Sequence, residues 1–558
     1  MSKNPFQATG QARIRRSRFD LSHSQLMSQK FGELVPLAPI EVYPGDIVTL
    51  GLSSFIRAQP LVRPPIGRTK LRTYHFYVNY RILWDEWQRY IAGQEDYDPL
   101  TPYVPPELPY LPADDDGSIL AVMGSLWDYF GWPIDAATAN VYDPTLATSY
   151  KAMTFPHDAY WKVYNEYFRV PGIQPELVPD WTQSGDPAFA WQYSPAYRNH
   201  TRDYFTAALP WTQRGAPPAL PIFGSASADF TIPRDFASGG NTGFMWAPTA
   251  SGLSWASASS NGTQYTVPVP PSESPSAATS HTRFNDLLTD NNIIDGSNFT
   301  SVDINDLRLA WQTQVFLERQ ARGGARYTET IEQHFKIKLN DGRIQRPEFI
   351  GGTTSDILFS EIPQTSETGT TPQGYIAGHG VGSDSQNIGR IRVPEHGIIL
   401  SLVCITVDAV YNQGFPRSFS RRLQLDFAWP EFVGLGEQEI FNYEVFADPT
   451  DGEDNEPFGY TGRYNELRYL PNLVCGQLRP GQNQNQWTQA RFFSSRPTLS
   501  SAFISTAPES ASAGAFMRPF AVTNPSTTPP FVAHYGRKVD IIRPIPYLAE
   551  PSSILGGT

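Results

Sequence analysis

Short segments in which apolar and polar residues alternate, set far apart along 558 residues, constrain this fold more than any other feature. Val48, Leu50 and Leu52 alternate after the turn residues Pro44-Gly45, and Tyr74, Phe76, Val78 and Tyr80 alternate with Thr73, His75, Tyr77 and Asn79. Phe335, Ile337 and Leu339 repeat the pattern, as do Leu423, Leu425 and Phe427, and Val539, Ile541 and Ile542 read as a last strand before Pro544 and Pro546. A period of two puts successive side chains on opposite faces of a strand, so each segment predicts a strand with one face buried. The run from Ile398 to Val407 is almost wholly apolar and predicts a central strand. Strands this far apart, joined by long loops, favour an antiparallel jelly-roll or related sandwich over a parallel α/β sheet.

Few helices are expected. Trp84 to Tyr90 reads as a short one. Leu120, Met123, Leu126, Trp127 and Phe130 recur at helical spacing until Gly131 and Pro133, and Tyr160, Tyr164 and Phe168 predict a helix over 157–169 that ends at Pro171-Gly172. The clearest spans 303–322, with Asp303 as N-cap, Leu307, Trp311, Val315 and Phe316 on one face, and Gly323-Gly324 at its end. Residues 97–116 are a proline-rich loop, and Asp114 to Asp116 read as a turn and helix start, because the spacing of a calcium loop is absent.

Proline at 50 of 558, about twice the usual share, and aromatics at 13% accompany only 18% charged residues. That balance suits ordered loops lying against other surfaces, since a disordered chain is rich in charge and poor in aromatics. Net charge is −12, so the surface as a whole is a poor coat for nucleic acid. Residues 1–30 run against this: Lys3, Arg13, Arg15, Arg16 and Arg18 all precede the first acid, Asp20. The segment reads as a basic arm, either a solvated tail or one that faces nucleic acid. Residues 251–280 are dominated by Ser, Ala, Thr, Gly and Pro, while Phe244, Trp246, Trp255 and Tyr265 punctuate the wider region. Flexible linkers rarely carry tryptophan, so an exposed, partly ordered insertion is expected.

Catalytic motifs do not emerge. A P-loop, GxSxG, HExxH and metal-spaced histidines are all missing, so no enzyme, cofactor or metal is expected. Cys404, inside the apolar run, reads as a buried thiol, and Cys475 lies too far along the chain to suggest a disulfide framework. No stretch of about 18 apolar residues and no signal region occurs, so a soluble chain made in the cytoplasm, without membrane insertion, is expected. Arg319, Arg322 and Arg326 surround the end of the 303–322 helix. They could complement its C-terminal dipole, bridge carboxylates of a neighbouring subunit, or bind phosphate.

The segment Leu317-Glu318-Arg319, followed by Ala321-Arg322-Gly323-Gly324 and Arg326-Tyr327, resembles a signature of the major capsid proteins of gokushovirus-type microviruses. Further segments agree in order: Arg16 to His23, Glu41 to Asp46, Phe76 to Trp87, Asp203 to Trp211, Arg346 to Gly352, Trp429 to Phe432, Gly434 to Gln438, and Phe458 to Tyr469. The resemblance covers about 14–550, broken mainly at 97–116 and 223–300. Asn79 stands where the family has proline and Tyr43 where it has leucine, as in a diverged member.

The resemblance implies a single eight-stranded jelly-roll over 31–550, preceded by the arm and followed by a tail at 551–558. Insertions at 97–180 and about 223–300 would interrupt it. It also implies a homo-oligomeric T=1 icosahedral shell around circular single-stranded DNA, part of a virion assembled in a bacterial host's cytoplasm. A small basic DNA-packaging protein, minor or pilot proteins and a host surface receptor would be partners. On this reading Lys3, Arg13, Arg15, Arg16 and Arg18 face DNA, Phe244, Trp246, Trp255 and Tyr265 sit on a host-contact protrusion, and Arg319, Arg322 and Arg326 meet neighbouring subunits. The competing expectations are a carbohydrate-binding β-sandwich attachment protein and a β-rich hydrolase.

Overall fold

The computed structural model describes residues 16–92, 106–110, 123–132, 153–181, 191–218, 304–323, 326–338, 340, 345–367, 373–450, 452–508, 514–522 and 528–547, and the backbone of three strands within 242–266. Those residues form the strands β1 Ser17–Asp20, β2 His23–Gln29, β3 Val35–Val42, β4 Ile47–Ala58, β5 Thr69–Asn79, β6 Thr242–Thr249, β7 Gly252–Ser259, β8 Gln264–Thr266, β9 Glu348–Pro363, β10 Ile376–Arg392, β11 Gly397–Val407, β12 Glu437–Phe441, β13 Pro457–Gly462 and β14 Phe531–Arg543. The helices used below are α1 Trp87–Ala92, α2 Leu126–Tyr129, α3 Phe155–Val163, α4 Ile304–Gly323 and α5 Tyr327–Phe335. The chain divides into two compact units, Met1–Gly215 with Leu317–Thr558, and Ala216–Phe316.

In the first unit the main sheet runs β1-β14-β4-β10-β9-β5-β11-β3, with β2 pairing β14 off that path, and its ladders are antiparallel. The long strands β9 and β10 carry the curl. β10 pairs β4 from Val381 to Arg392 but β9 from Ile376 to Val381, while β9 turns its other end, Glu348 to Ile357, onto β5. The sheet thereby folds over itself as a jelly-roll-like sandwich, the expected class. At the β9–β5 crossing Gly352 lets the two backbones meet, since a Cβ there would lie 2.4 Å from the Thr73 carbonyl oxygen.

Two clusters fill the inside of the sandwich: Val35, Leu37, Leu52, Ile56, Leu71, Val403, Ile405 and Tyr535 at one end, and Val42, Val48, Leu50, Tyr77, Ile399, Val539 and Ile541 at the other. A third covers the outer face of β5 and β11, where Phe76, Val78, Ile398, Leu400, Leu402 and Cys404 pack under α2 and α3 through Leu126, Phe130, Phe155, Tyr160 and Trp161. β11 is therefore buried on both faces, which is why its sequence does not alternate. The same covering corrects the expectation for β5: Thr73, His75 and Tyr77 on its other face are buried too. Most of their polar atoms find partners inside, though His75 Nε2 does not. His75 Nδ1 lies 2.8 Å from Ser401 Oγ, which also accepts from Arg537 at 3.0 Å, and Tyr535 donates to Gln29, 2.8 Å away.

Other expectations need correction. Residues 17–29, placed in the basic arm, are β1 and β2, because their backbone groups pair with the edge of β14. Of the strand expected from Phe335 to Leu339, Phe335 is instead the last residue of α5, which Lys336, at φ 59°, caps by donating to Glu332 O at 3.0 Å; Leu339 lies outside the described residues. Leu423, Leu425 and Phe427 lie on a 3-10 turn held by Asp426, whose carboxylate accepts the Arg422 and Leu423 amides at 2.8 and 2.7 Å. Both segments put three apolar residues two apart, and that pattern is too short to separate a strand from a turn. The helix near 84–90 begins at Trp87, and the one expected through Leu120 is the single turn α2, capped by Ser125; Leu120 and Asp114 to Asp116 lie outside the described residues. α3 and the π turn Tyr164–Phe168 follow the reading of 157–169. α4 forms as expected, but Leu307, Trp311 and Phe316 on its apolar face are exposed.

In the second unit β6, β7 and β8 make a small antiparallel sheet of their own.

Candidate functional site

Folding leaves one part of the first unit unusually apolar at its surface. Phe415, Phe419, Leu423, Leu425, Phe427, Val433 and Leu435 are exposed along 415–435, as are Leu467, Tyr469, Leu470 and Leu473 along 467–473; Phe419 reaches 74% and Leu470 81% exposure. Prolines 416, 430 and 471 and successive 3-10 turns keep these stretches out of the sheet. Ion pairs and hydrogen bonds tie them together. Arg421 meets Glu466 at 3.3 Å, Tyr464 Oη accepts the Trp429 amide at 3.3 Å, and Gln438 donates to the other oxygen of Glu466. Between them lies a cavity of about 210 Å³, walled by Tyr204, Phe205, Pro416, Arg417, Leu467 and Leu470. Arg417 there pairs with Glu444 at 3.3 Å, and burial raises the Glu444 carboxyl above its ordinary range, against the opposing pull of the Phe441 amide and Arg417. The charges are thus satisfied within the chain while the apolar side chains are not, as on a surface that another protein covers.

The arginines around the end of α4 separate into different roles. Arg326 is drawn inward: its guanidinium donates to Asn165 O at 2.6 Å and Arg169 O at 2.9 Å, and pairs with Glu329 at 3.2 Å. Arg326 thus serves the end of the turn at 164–168, while Arg322 is the arginine that lies in the last turn of α4. Arg322 pairs with the buried carboxylate of Glu437. Arg319 stays exposed at the surface.

Of the expected DNA-facing residues, Lys3, Arg13 and Arg15 lie outside the described residues, Arg16 is exposed, and Arg18 pairs with Asp540 of β14 at 2.9 Å. The four aromatic positions of the insertion fall on the small sheet of the second unit. Trp246 is the cross-strand partner of Trp255, Phe244 of Ser257, and Ser257 of Tyr265. With the two-residue period, that register assigns all four to one of the two alternating sets of positions. Among the described residues no group of His, Cys, Asp and Glu is placed to hold a metal, and no helix is long and apolar enough to cross a membrane.

Comparison with known proteins gives the family. The model of the capsid protein (F protein) family matches residues 8–553. The chain belongs to that family. It is similar to capsid protein VP1 of Bdellovibrio phage phiMH2K, at 32% identity over 88% of this chain and 87% of that one, and of Chlamydia phage 1, at 30% over 98% and 97%. VP1 of Spiroplasma virus 4 is 29% identical over 88% of each. The resemblance to gokushovirus-type major capsid proteins is thereby established. This capsid protein is a structural component of the virion, and its family is one of shell proteins, not enzymes.

Sequence reasoning missed the apolar surface of this capsid protein. Its signal was present in Leu423, Leu425 and Phe427, but as alternation it pointed to a strand. Exposed apolar residues on a rigid loop and buried ones on a strand are written with the same letters.

Proposed function

We propose that identical copies of this capsid protein close into a small T=1 icosahedral shell around circular single-stranded DNA, joined in part through the apolar surface formed by 415–435 and 467–473. The observation that supports this reading most directly is that surface: large side chains such as Phe419 and Leu470 stand in water on a chain whose family builds capsids. Arg319, exposed near the end of α4, is offered to carboxylates of a neighbouring copy, and Arg322, held by Glu437, and Arg326 support it from within. Lys3, Arg13, Arg15, Arg16 and Arg18 lie at the DNA side. A small basic packaging protein supplies much of the remaining positive charge, because a subunit of net charge −12 cannot. Minor or pilot proteins complete the particle.

The insertion at about 223–300 is the host-contact element in this reading, with Phe244, Trp246, Trp255 and Tyr265 as its contact aromatics. Their common register set and the scarcity of charge around them support it. Deleting 225–280 should leave particles intact and abolish adsorption to the host; loss of folding on deletion counts against it.

Negative-stain electron microscopy of the purified chain with its DNA and companion proteins tests the shell. Uniform icosahedral particles are expected. A small oligomer under those conditions overturns the reading and makes glycan binding the next assay.

A further inference from the structure

Four of the segments that carry the family resemblance, 203–211, 317–324, 434–438 and 458–469, converge on one cavity of about 480 Å³ in the first unit. Arg202, Arg214, Arg322, Arg463 and Arg468 line it, against only Glu329 and Glu437. Each carboxylate has an arginine partner: Arg322 pairs with Glu437 through Oε1 and Arg326 with Glu329, while Glu437 Oε2 is buried without a partner. Arg468 leans on Asn465 at 3.0 Å. Arg202, Arg214 and Arg463 form no ion pair among the described residues. The Nε atoms of Arg214 and Arg463 and the indole nitrogen of Trp211 are buried without a hydrogen-bond partner. Arg214 lies 5.8 Å from the Trp211 ring.

Three like charges gathered in a recess of an acidic chain repel one another, and the buried donors of Arg214 and Arg463 lack the hydration that the exposed Arg202 keeps. An anion rich in acceptor oxygens relieves both. The guanidinium fork suits phosphate and carboxylate alike, so charge alone does not choose between them. Two features favour a nucleotide. An aromatic ring stands beside the arginines, as in sites that stack a base while binding its backbone. The volume also lies in the range of about 300–1,000 Å³ typical of sites for small organic ligands. A second cavity of about 410 Å³ shares Trp211 and Arg214 as walls.

We propose that this cavity holds a phosphodiester of single-stranded DNA against Arg202, Arg214 and Arg463, with a base laid on Trp211. The proposal rests on the reading that the shell encloses such DNA, and it adds a fixed contact on the folded body of the subunit, distinct from the N-terminal arm.

The test measures binding of fluorescein-labelled dT10 to the full-length chain by anisotropy across a salt series. The double variant Arg214→Gln with Arg463→Gln should weaken binding at least ten-fold. It should also reduce the slope of log affinity against log salt by about 1.4, the share of two phosphate contacts on a single strand. Arg214→Lys with Arg463→Lys should keep the slope. Affinity unchanged in the glutamine pair overturns the proposal, as does displacement of dT10 by hexaglutamate as readily as by unlabelled dT10, which would assign the cavity to an acidic peptide. If near-ultraviolet circular dichroism shows the glutamine pair unfolded, Arg202→Gln, at the exposed rim, replaces it with an expected slope loss of about 0.7. Absorbance of assembled particles at 260 and 280 nm separates the two readings. Wild-type particles without DNA would sink the shell reading itself, whereas filled particles with unaltered variant binding would sink only the cavity.

Discussion

The subunit should be acid-labile, through three buried histidines. His75, His157 and His200 are 2%, 0% and 6% exposed, and burial holds each ring down at about 3, with Arg537 adding to the effect at His75 and Arg491 and Arg198 at His200. Because the folded value lies below the unfolded 6.5, their stabilisation is complete above pH 6.5 and is lost as pH falls from there toward 3. One pH unit is worth about 1.4 kcal/mol per group, so moving from pH 7.5 to 5.0 removes about 2 kcal/mol for each histidine, or about 6 kcal/mol together. Asp158 opposes them: burial pushes its carboxyl up to about 6, and protonation below that value favours the folded chain. Its return by pH 5.0 is about 1.4 kcal/mol, and Glu33 and Glu444, whose carboxyls burial also raises, act in the same direction, so the net loss is at most about 4–5 kcal/mol, set against the roughly 5–15 kcal/mol that keeps a domain folded. Urea unfolding of dissociated subunits, followed by near-ultraviolet circular dichroism at the two pH values, measures it. His157 is the residue to change, because neither ring nitrogen has a partner and Trp127, Phe130 and Trp181 enclose the ring at 4.5, 4.9 and 5.7 Å. His157→Phe should shrink the pH-dependent loss by about 2 kcal/mol, while any packing cost of the larger ring appears equally at both pH values. Equal stability of the wild type at pH 7.5 and 5.0, or an undiminished loss in the variant, would refute the reasoning.

Other perturbations probe the fold and its surface. Phe419→Ser combined with Leu470→Ser should leave subunit stability within about 1 kcal/mol yet prevent particle formation in sedimentation, since both side chains stand in solvent. Asp46 is fully buried, pairs with Arg543 at 2.9 Å and accepts the Tyr43 amide, so Asp46→Ala should cost about 3–5 kcal/mol in urea unfolding by stranding that arginine. Gly32 sits at φ 75°, where a Cβ would fall 2.1 Å from Thr506 Oγ1. Gly32→Ala should lower the melting temperature, with a stability loss of at least about 1–3 kcal/mol, and replacing Thr506 by Gly as well should recover only the steric part.

Much of the sandwich was legible in advance. Val48, Leu50 and Leu52 predicted β4, Ile398 to Val407 predicted β11, and Val539 to Ile542 predicted β14, because a strand records in its own period which of its faces will leave water. Cys404 as a buried thiol and the helix over 157–169 followed from equally local patterns, and the ordered family segments carried the capsid assignment. Three alternating residues were too few at Phe335 and at Leu423, where a cap or a side-chain hydrogen bond decides between turn and strand.

Composition, periodicity and motif order therefore determined the class of the fold, the strands β4, β5, β11 and β14 and the family, since those depend on interactions within a few residues or on resemblance alone. Closure decided the rest. His75 met Ser401 and Arg537, the outer face of β5 was roofed by α2 and α3, four distant segments closed around an arginine-lined cavity, and Phe419 and Leu470 were left in water. Each of those outcomes depends on which groups, hundreds of residues apart, come within hydrogen-bond or packing distance. Such forces fall off within a few ångströms and depend on that proximity, which no short window of sequence contains.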